Sequence, residues 1–140
     1  MIIKFNYFNE KENKYVHYSE LKDSLKKSDD VSLTIHHETG ELMIYDKGVL
    51  CKPLAYAGIT DKNGREIFEG DILSVPVFED QTQTQIAENT NEAVTYKLSS
   101  FFLGHFPMGQ DYEWISKYTE VVGNVFENSN ILSFVTEGEN

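Results

Sequence analysis

The chain has 140 residues, 12 basic and 23 acidic, for a net charge of −11, and a single cysteine. That length fits one domain or two small lobes sharing a core, and a hydrophobic content of 40% is enough to bury one. A lone thiol, Cys51, excludes an internal disulfide framework, and the acidity disfavours both a nucleic-acid backbone and an anionic membrane as partners.

The charge is uneven. Residues 1–78 carry 10 basic and 13 acidic side chains, whereas residues 79–140 carry 2 and 10. The plain reading of this surplus is solubility. The first residues, Met1 to Asn6, lack a signal peptide's apolar run, and no stretch reaches the length of a membrane-spanning helix, so the expected location is the cytoplasm. Nine Phe, eight Tyr and one Trp favour strands over helices, because aromatics suit a pleated, half-buried surface.

Residues 2–8 are expected as a strand, with a polar turn at 9–13 and a return strand from Tyr15-Val16, an opening hairpin. Ser19 can cap a short helix to about Lys27, since Tyr18, Leu21 and Leu25 share one face at helical spacing. Residues 31–35 alternate as a strand, 37–40 turn, and 42–45 return. Asp46-Lys47-Gly48 signals another turn, followed by a strand at 49–52. Pro53, which has no N–H to donate, argues against a central strand there.

Residues 56–59 lead into Asp61-Lys62-Asn63-Gly64, a hairpin turn in which Asp binds its own backbone and Gly supplies positive φ. Ile67-Phe68 follows as a short strand, then a sharp turn at Glu69-Gly70-Asp71. Residues 72–78 read as a strand with Leu73, Val75 and Val77 on one face, and Pro76 fits an edge or a bulge. Residues 79–91 lack a large apolar cluster and are expected as a long polar loop, or as a pair of edge strands and a turn. Residues 93–98 and 101–103 are strand-like, and 104–112 form a loop. Residues 114–118 suit a strand or a helical turn, 120–126 a strand, 128–130 a turn, and 131–135 a docking segment before an acidic tail. Short strands and turns at this spacing suit a mainly β barrel or sandwich with one minor helix.

Two segments carry a family resemblance. Tyr56-Ala57-Gly58-Ile59-Thr60-Asp61-Lys62-Asn63-Gly64-Arg65-Glu66-Ile67-Phe68-Glu69-Gly70-Asp71-Ile72-Leu73 resembles the YopX family's pattern Y-T-G-L-x-D-x-N-G-x-x-I-Y-E-G-D-I-V. Glu120-Val121-Val122-Gly123-Asn124-Val125-Phe126-Glu127-Asn128 resembles its E-V-I-G-N-I-Y-E-N, and Ile3-Lys4-Phe5 through Asn13-Lys14 resembles its opening hairpin more loosely. Ser129 stands where that family usually has Pro. The resemblance implies an N-terminal α+β part, residues 1–53, and a C-terminal SH3-type small β-barrel, residues 54–140, sharing a core. It also implies a phage or prophage origin in a bacterial cytoplasm, and it implies no activity.

The candidate residues are weighed against their ordinary uses. Asp61 and Asp71 could form an acid–base pair, but both sit at turns, where Asp binds local backbone. Gly58, Gly64 and Gly70 recur without a following helix N-terminus, so they are backbone glycines and not a phosphate loop. With Asn63, Gly123, Asn124, Glu127 and Asn128 they form a structural motif. His36-His37-Glu38 with Glu41 could ligate a metal, but adjacent strand residues point to opposite faces unless the turn bends. His17 and His105 lie far away in sequence. Cys51 lacks any nucleophile signature and reads as a buried thiol. No catalytic residue, cofactor site or metal site is expected.

Phe101, Phe102, Phe106, Tyr112 and Trp114 form a candidate interaction surface. Aromatics can stack bases, but only Lys97 and Lys117 lie nearby, so core packing or a protein interface is favoured. The expected function is that of a non-enzymatic accessory protein acting through protein contacts, with an unidentified partner or a second copy at an exposed strand edge. The alternatives are a nucleic-acid-binding small barrel and an acidic mimic of DNA that occupies a host protein.

Overall fold

A computed structural model describes residues 4–20, 31–78 and 84–133. The chain divides into two compact units, Met1–Tyr56 and Ala57–Asn140. It is mainly β, built on two antiparallel sheets.

In the first unit, β1 (Phe5–Asn9) and β2 (Lys14–Val16) form the opening hairpin, with Asn13 at φ 53° in its turn. β3 (Val31–Ile35), β4 (Leu42–Asp46) and β5 (Val49–Thr60) complete the order β2-β1-β5-β4-β3. The expected helix from Ser19 to Lys27 falls mostly on residues outside those described. Phe5, Tyr7, Val16, Val31, Ile44 and Cys51 fill the core. The buried Tyr7 hydroxyl donates to Asp46 Oδ2 at 2.8 Å, and Lys14 Nζ lies 3.7 Å from the same oxygen. Burial and the Asp46 carboxylate together push the Tyr7 hydroxyl well above its ordinary pKa.

Pro53 does not interrupt β5, contrary to the sequence expectation. β5 runs twelve residues through it, with Pro53 opposite Tyr7 of β1. The paired register with β4 stops at Ile44↔Cys51. At Pro53 β1 is the strand paired with β5, and β4 is no longer beside it, so a missing N–H on that other side costs no ladder bond.

In the second unit, β6 (Glu66–Phe68) pairs with β5. β7 (Asp71–Phe78), β8 (Gln85–Lys97), β9 (Ser100–Leu103), β10 (Phe106–Pro107) and β11 (Glu120–Asn124) form a sheet in the order β10-β9-β8-β7-β11. Between β10 and β11 stands a seven-residue helix, α1 (Tyr112–Tyr118). It ends where the Thr119 hydroxyl and N–H both donate to the Ile115 carbonyl. Ile67, Leu73, Val94, Leu103, Ile115 and Val121 are central to the core.

Three expectations change here. Residues 85–91 follow the strand alternative and not the loop, though within the sheet and not at its edge: β8 lies between β7 and β9 and pairs with β7 from Gln85 onward, where exposed side chains give no pattern. β7 shows no clean alternation, because its register with β8 shifts around Pro76, which is buried in a bulge. β11 stops at Asn124, and residues 125–127 turn, because the Asn124 side chain draws in the N–H groups that follow it.

The described strands form no closed barrel, which is where they depart from the SH3-type expectation. The edges are β10, only two residues long and ending on Pro107, and β11, ended by the Asn124 turn. Neither offers an uninterrupted row of N–H groups for closure.

Candidate functional site

The second unit contains two polar constellations of opposite character. The first is the pair of signature segments. Asp61 is buried, and its carboxylate accepts from the N–H groups of Asn63 and Arg65 at 2.9 Å and of Val121 at 2.8 Å. It therefore closes its own turn and clasps β11 across sixty residues of chain. The Lys62 N–H donates to the Thr119 carbonyl, and the Val125 N–H to the Gly70 carbonyl. Asn124 Oδ1 accepts from Phe126 and Glu127, and Asn128 Oδ1 accepts from the Asn124 N–H.

Gly70 ties the segments sterically as well. It sits at φ +91°, and a Cβ there would lie 2.7 Å from the Phe126 ring. Only a residue without a side chain meets both demands. Asp71 accepts from the Phe68 N–H at 2.8 Å, and burial pushes its carboxyl up to about 7. Asp61 and Asp71 thus each accept from local backbone, an arrangement that holds turns.

The second constellation is a cleft of about 560 Å³ beside the sheet and α1. Val75, Leu103, Phe106, Trp114 and Ile115 make its apolar wall. Glu92, His105 and Asp111 supply its polar groups, and none of the three side chains makes a hydrogen bond or ion pair among the described residues. Glu92 shares the face of β8 that carries the buried Val94, a position where alternation would place an apolar residue. Its carboxylate lies over Gly104 (φ +60°), where a Cβ would come within 2.7 Å of Oε1. A second hollow of about 260 Å³ shares Glu92 and His105 with the cleft and extends past Gly104 toward Asn91, Thr95 and Leu132.

The five candidate aromatics are divided. Phe101 packs against the core and lies 4.8 Å from Tyr96, and Phe102, on the opposite face of β9, receives Lys97 at 5.0 Å. Trp114 and Phe106 line the cleft, and Trp114 also meets Phe78 and Tyr118 edge-on or tilted. Phe106 and Tyr112 are exposed. Glu92, His105 and Asp111 were not singled out as a group by sequence reasoning. The available signal was a carboxylate in phase with Val94 and Tyr96; the other two join it only through the β9–β10 turn and the start of α1.

Elsewhere the chemistry is local. His36 and His37 stack at 5.4 Å, nearly parallel, and do not point apart, because the chain has left β3 and turned. His36 Nδ1 accepts from the N–H groups of Glu38 and Thr39. Cys51 is buried, which pushes its thiol up, and it donates to the Val49 carbonyl. No three His, Cys, Asp or Glu side chains among the described residues gather closely enough for a metal ion. None of the described helices is long and apolar enough to cross a membrane.

Comparison with known proteins gives the following. The family model described as YopX protein matches residues 4–133. No curated protein matches the chain. Among solved structures, protein EF1440 from Enterococcus faecalis is similar, with a TM-score of 0.55 at 20% identity, over 94% of this chain and 99% of that one. At that identity the likeness concerns the fold.

Proposed function

The chain belongs to the YopX family, and from that membership we propose that it is a non-enzymatic accessory protein of a phage or prophage, working in the bacterial cytoplasm through contact with another protein. The observation that carries this reading is the cleft. Three polar side chains without partners among the described residues stand beside the exposed Phe106 and the half-buried Trp114, the composition of an interface anchor. The signature residues support it from the other side, since their polar groups are already engaged within the fold. The same reading treats the second unit as kin to SH3-type small barrels, opened between β10 and β11.

Capture from host lysate at low and moderate salt tests this, using the whole chain and a Phe106→Ser variant. A specific protein retained by the first and lost by the second is expected. No specific partner overturns the reading, and equal retention by both removes the cleft as its contact. The acidic surplus of residues 79–140 favours a narrower second version, in which the chain mimics DNA. There, neutralising its carboxylates across 79–140 would abolish capture, whereas Phe106→Ser would not. Polarisation assays with single- and double-stranded oligonucleotides at low salt should show no binding.

A further inference from the structure

We propose that the cleft seats an arginine side chain projecting from a basic segment of the protein partner, an inference that rests on the protein-contact reading above. Its volume lies within the range of about 300–1,000 Å³ that ligand pockets occupy, so it can admit a side chain with its flanking residues.

The charge of the occupant follows from what is missing around Glu92 and Asp111. The second unit has four Lys or Arg residues, and each is placed elsewhere. Lys62 faces Glu120 at 3.9 Å, and Arg65 follows the Asp61 turn, its charge lowering the Asp71 pKa. Lys97 lies over Phe102 and Lys117 over Tyr118. Neither cleft carboxylate has an ion-pair partner among the described residues, and Glu92, half-buried against the apolar wall, gains more from a counterion than the exposed Asp111 does.

The shape of the occupant follows from the walls. Trp114 and Phe106 line the cleft together with two carboxylates. A guanidinium is planar, so it can stack on a ring while its forked N–H groups serve carboxylate oxygens. Lysine's ammonium is more strongly hydrated and cannot form the fork. The second hollow, across Glu92 and His105, leaves room for a neighbouring residue of an extended segment. Gly104 permits this arrangement by letting the Glu92 carboxylate lie against the turn.

Trp114 is the only tryptophan in the chain, so its fluorescence reports occupancy of the cleft directly. The full chain is titrated with acetyl-Gly-Arg-Gly-amide, with the citrulline peptide of equal shape and no charge, and with the lysine peptide. A saturable change is expected with arginine, half-complete at a concentration at least ten-fold lower than with either comparison peptide. The Glu92→Gln/Asp111→Asn double variant, its thermal midpoint checked against the parent, should erase the preference for arginine over citrulline.

Equal response to arginine and citrulline, a lysine peptide matching arginine, or an unchanged preference in the double variant overturns the assignment. So does the absence of any saturable response. The two readings fail separately. If Phe106→Ser still loses the lysate partner while the double variant keeps it, the arginine seat falls and the protein contact stands. If no partner is captured at all, the protein contact falls with it.

Discussion

The signature network and the cleft lie in the same unit and use the same residue types, yet their polar groups are spent differently. The Asp61 carboxylate takes three backbone N–H groups, and Asn124 and Asn128 close the turn beside it. Glu92, His105 and Asp111 take none among the described residues. A polar side chain whose bonds are all internal contributes to folding, and its loss leaves buried donors without partners. A polar side chain left open contributes little to folding and is available to something outside. The most recognisable residues of the chain are therefore its scaffold, and its candidate chemistry lies in residues that carry no motif.

The contrast can be broken by stability measurements. The largest loss on substitution is expected from Asp61→Ala, which strands the buried Val121 N–H and leaves two part-buried turn donors to water: about 3 kcal/mol by denaturant unfolding, most of it from the buried donor at about 1–3 kcal/mol. A loss below about 1 kcal/mol would mean that water replaces the carboxylate easily and the clasp is dispensable.

Asp71 gives the next effect, through pH. Its folded pKa of about 7 stands above the ordinary 3.8, so the folded state holds the proton more tightly. The resulting stability is fully present below about pH 4, falls as pH rises toward 7, and is flat above. At about 1.4 kcal/mol per unit the change is on the order of 4 kcal/mol at most. Asp71→Asn should flatten the stability profile between pH 4 and 7, as read by unfolding at each pH. A slope in that window unchanged by the variant would mean that another group is responsible.

The smallest effect belongs to the cleft. Glu92→Gln and Asp111→Asn should each shift stability by no more than about 0.5 kcal/mol, as for surface changes away from a network. A large loss from either would place that side chain with the scaffold and erase the contrast.

Much of the fold was legible in the sequence for local reasons. The hairpins at 9–13, 46–48 and 61–64 announce themselves through Asn, Asp and Gly, and both signature segments stand out as motifs. Strand extent was harder wherever long-range pairing overrode composition. Gln85 to Asn91 are mostly polar, with Gln85 to Asn89 exposed, and become strand because β7 lies beside them. β5 passes Pro53 because β4 has ended. The cleft was illegible for the same reason. Glu92, His105 and Asp111 belong to a strand, a turn and a helix boundary, and nothing in the sequence brings a strand's face to a helix nineteen positions on. The aromatics were visible as a set, but which of them faced the core and which the cleft depended on the pairing of β9 with β8.

The bond between Asp61 and Val121 has a consequence for how the chain is made. A ribosome adds about 5–20 residues per second, so the second end of this clasp follows the first by roughly 3–12 seconds. The β7–β8–β9 meander is local and can form in that interval. β7 then waits with one side bare, since β11 is its partner there. Such an edge accepts any extended chain that reaches it first. The nascent second unit is therefore at greatest risk of mispairing just before completion, and residues 120–128 act as the seal that ends the risk.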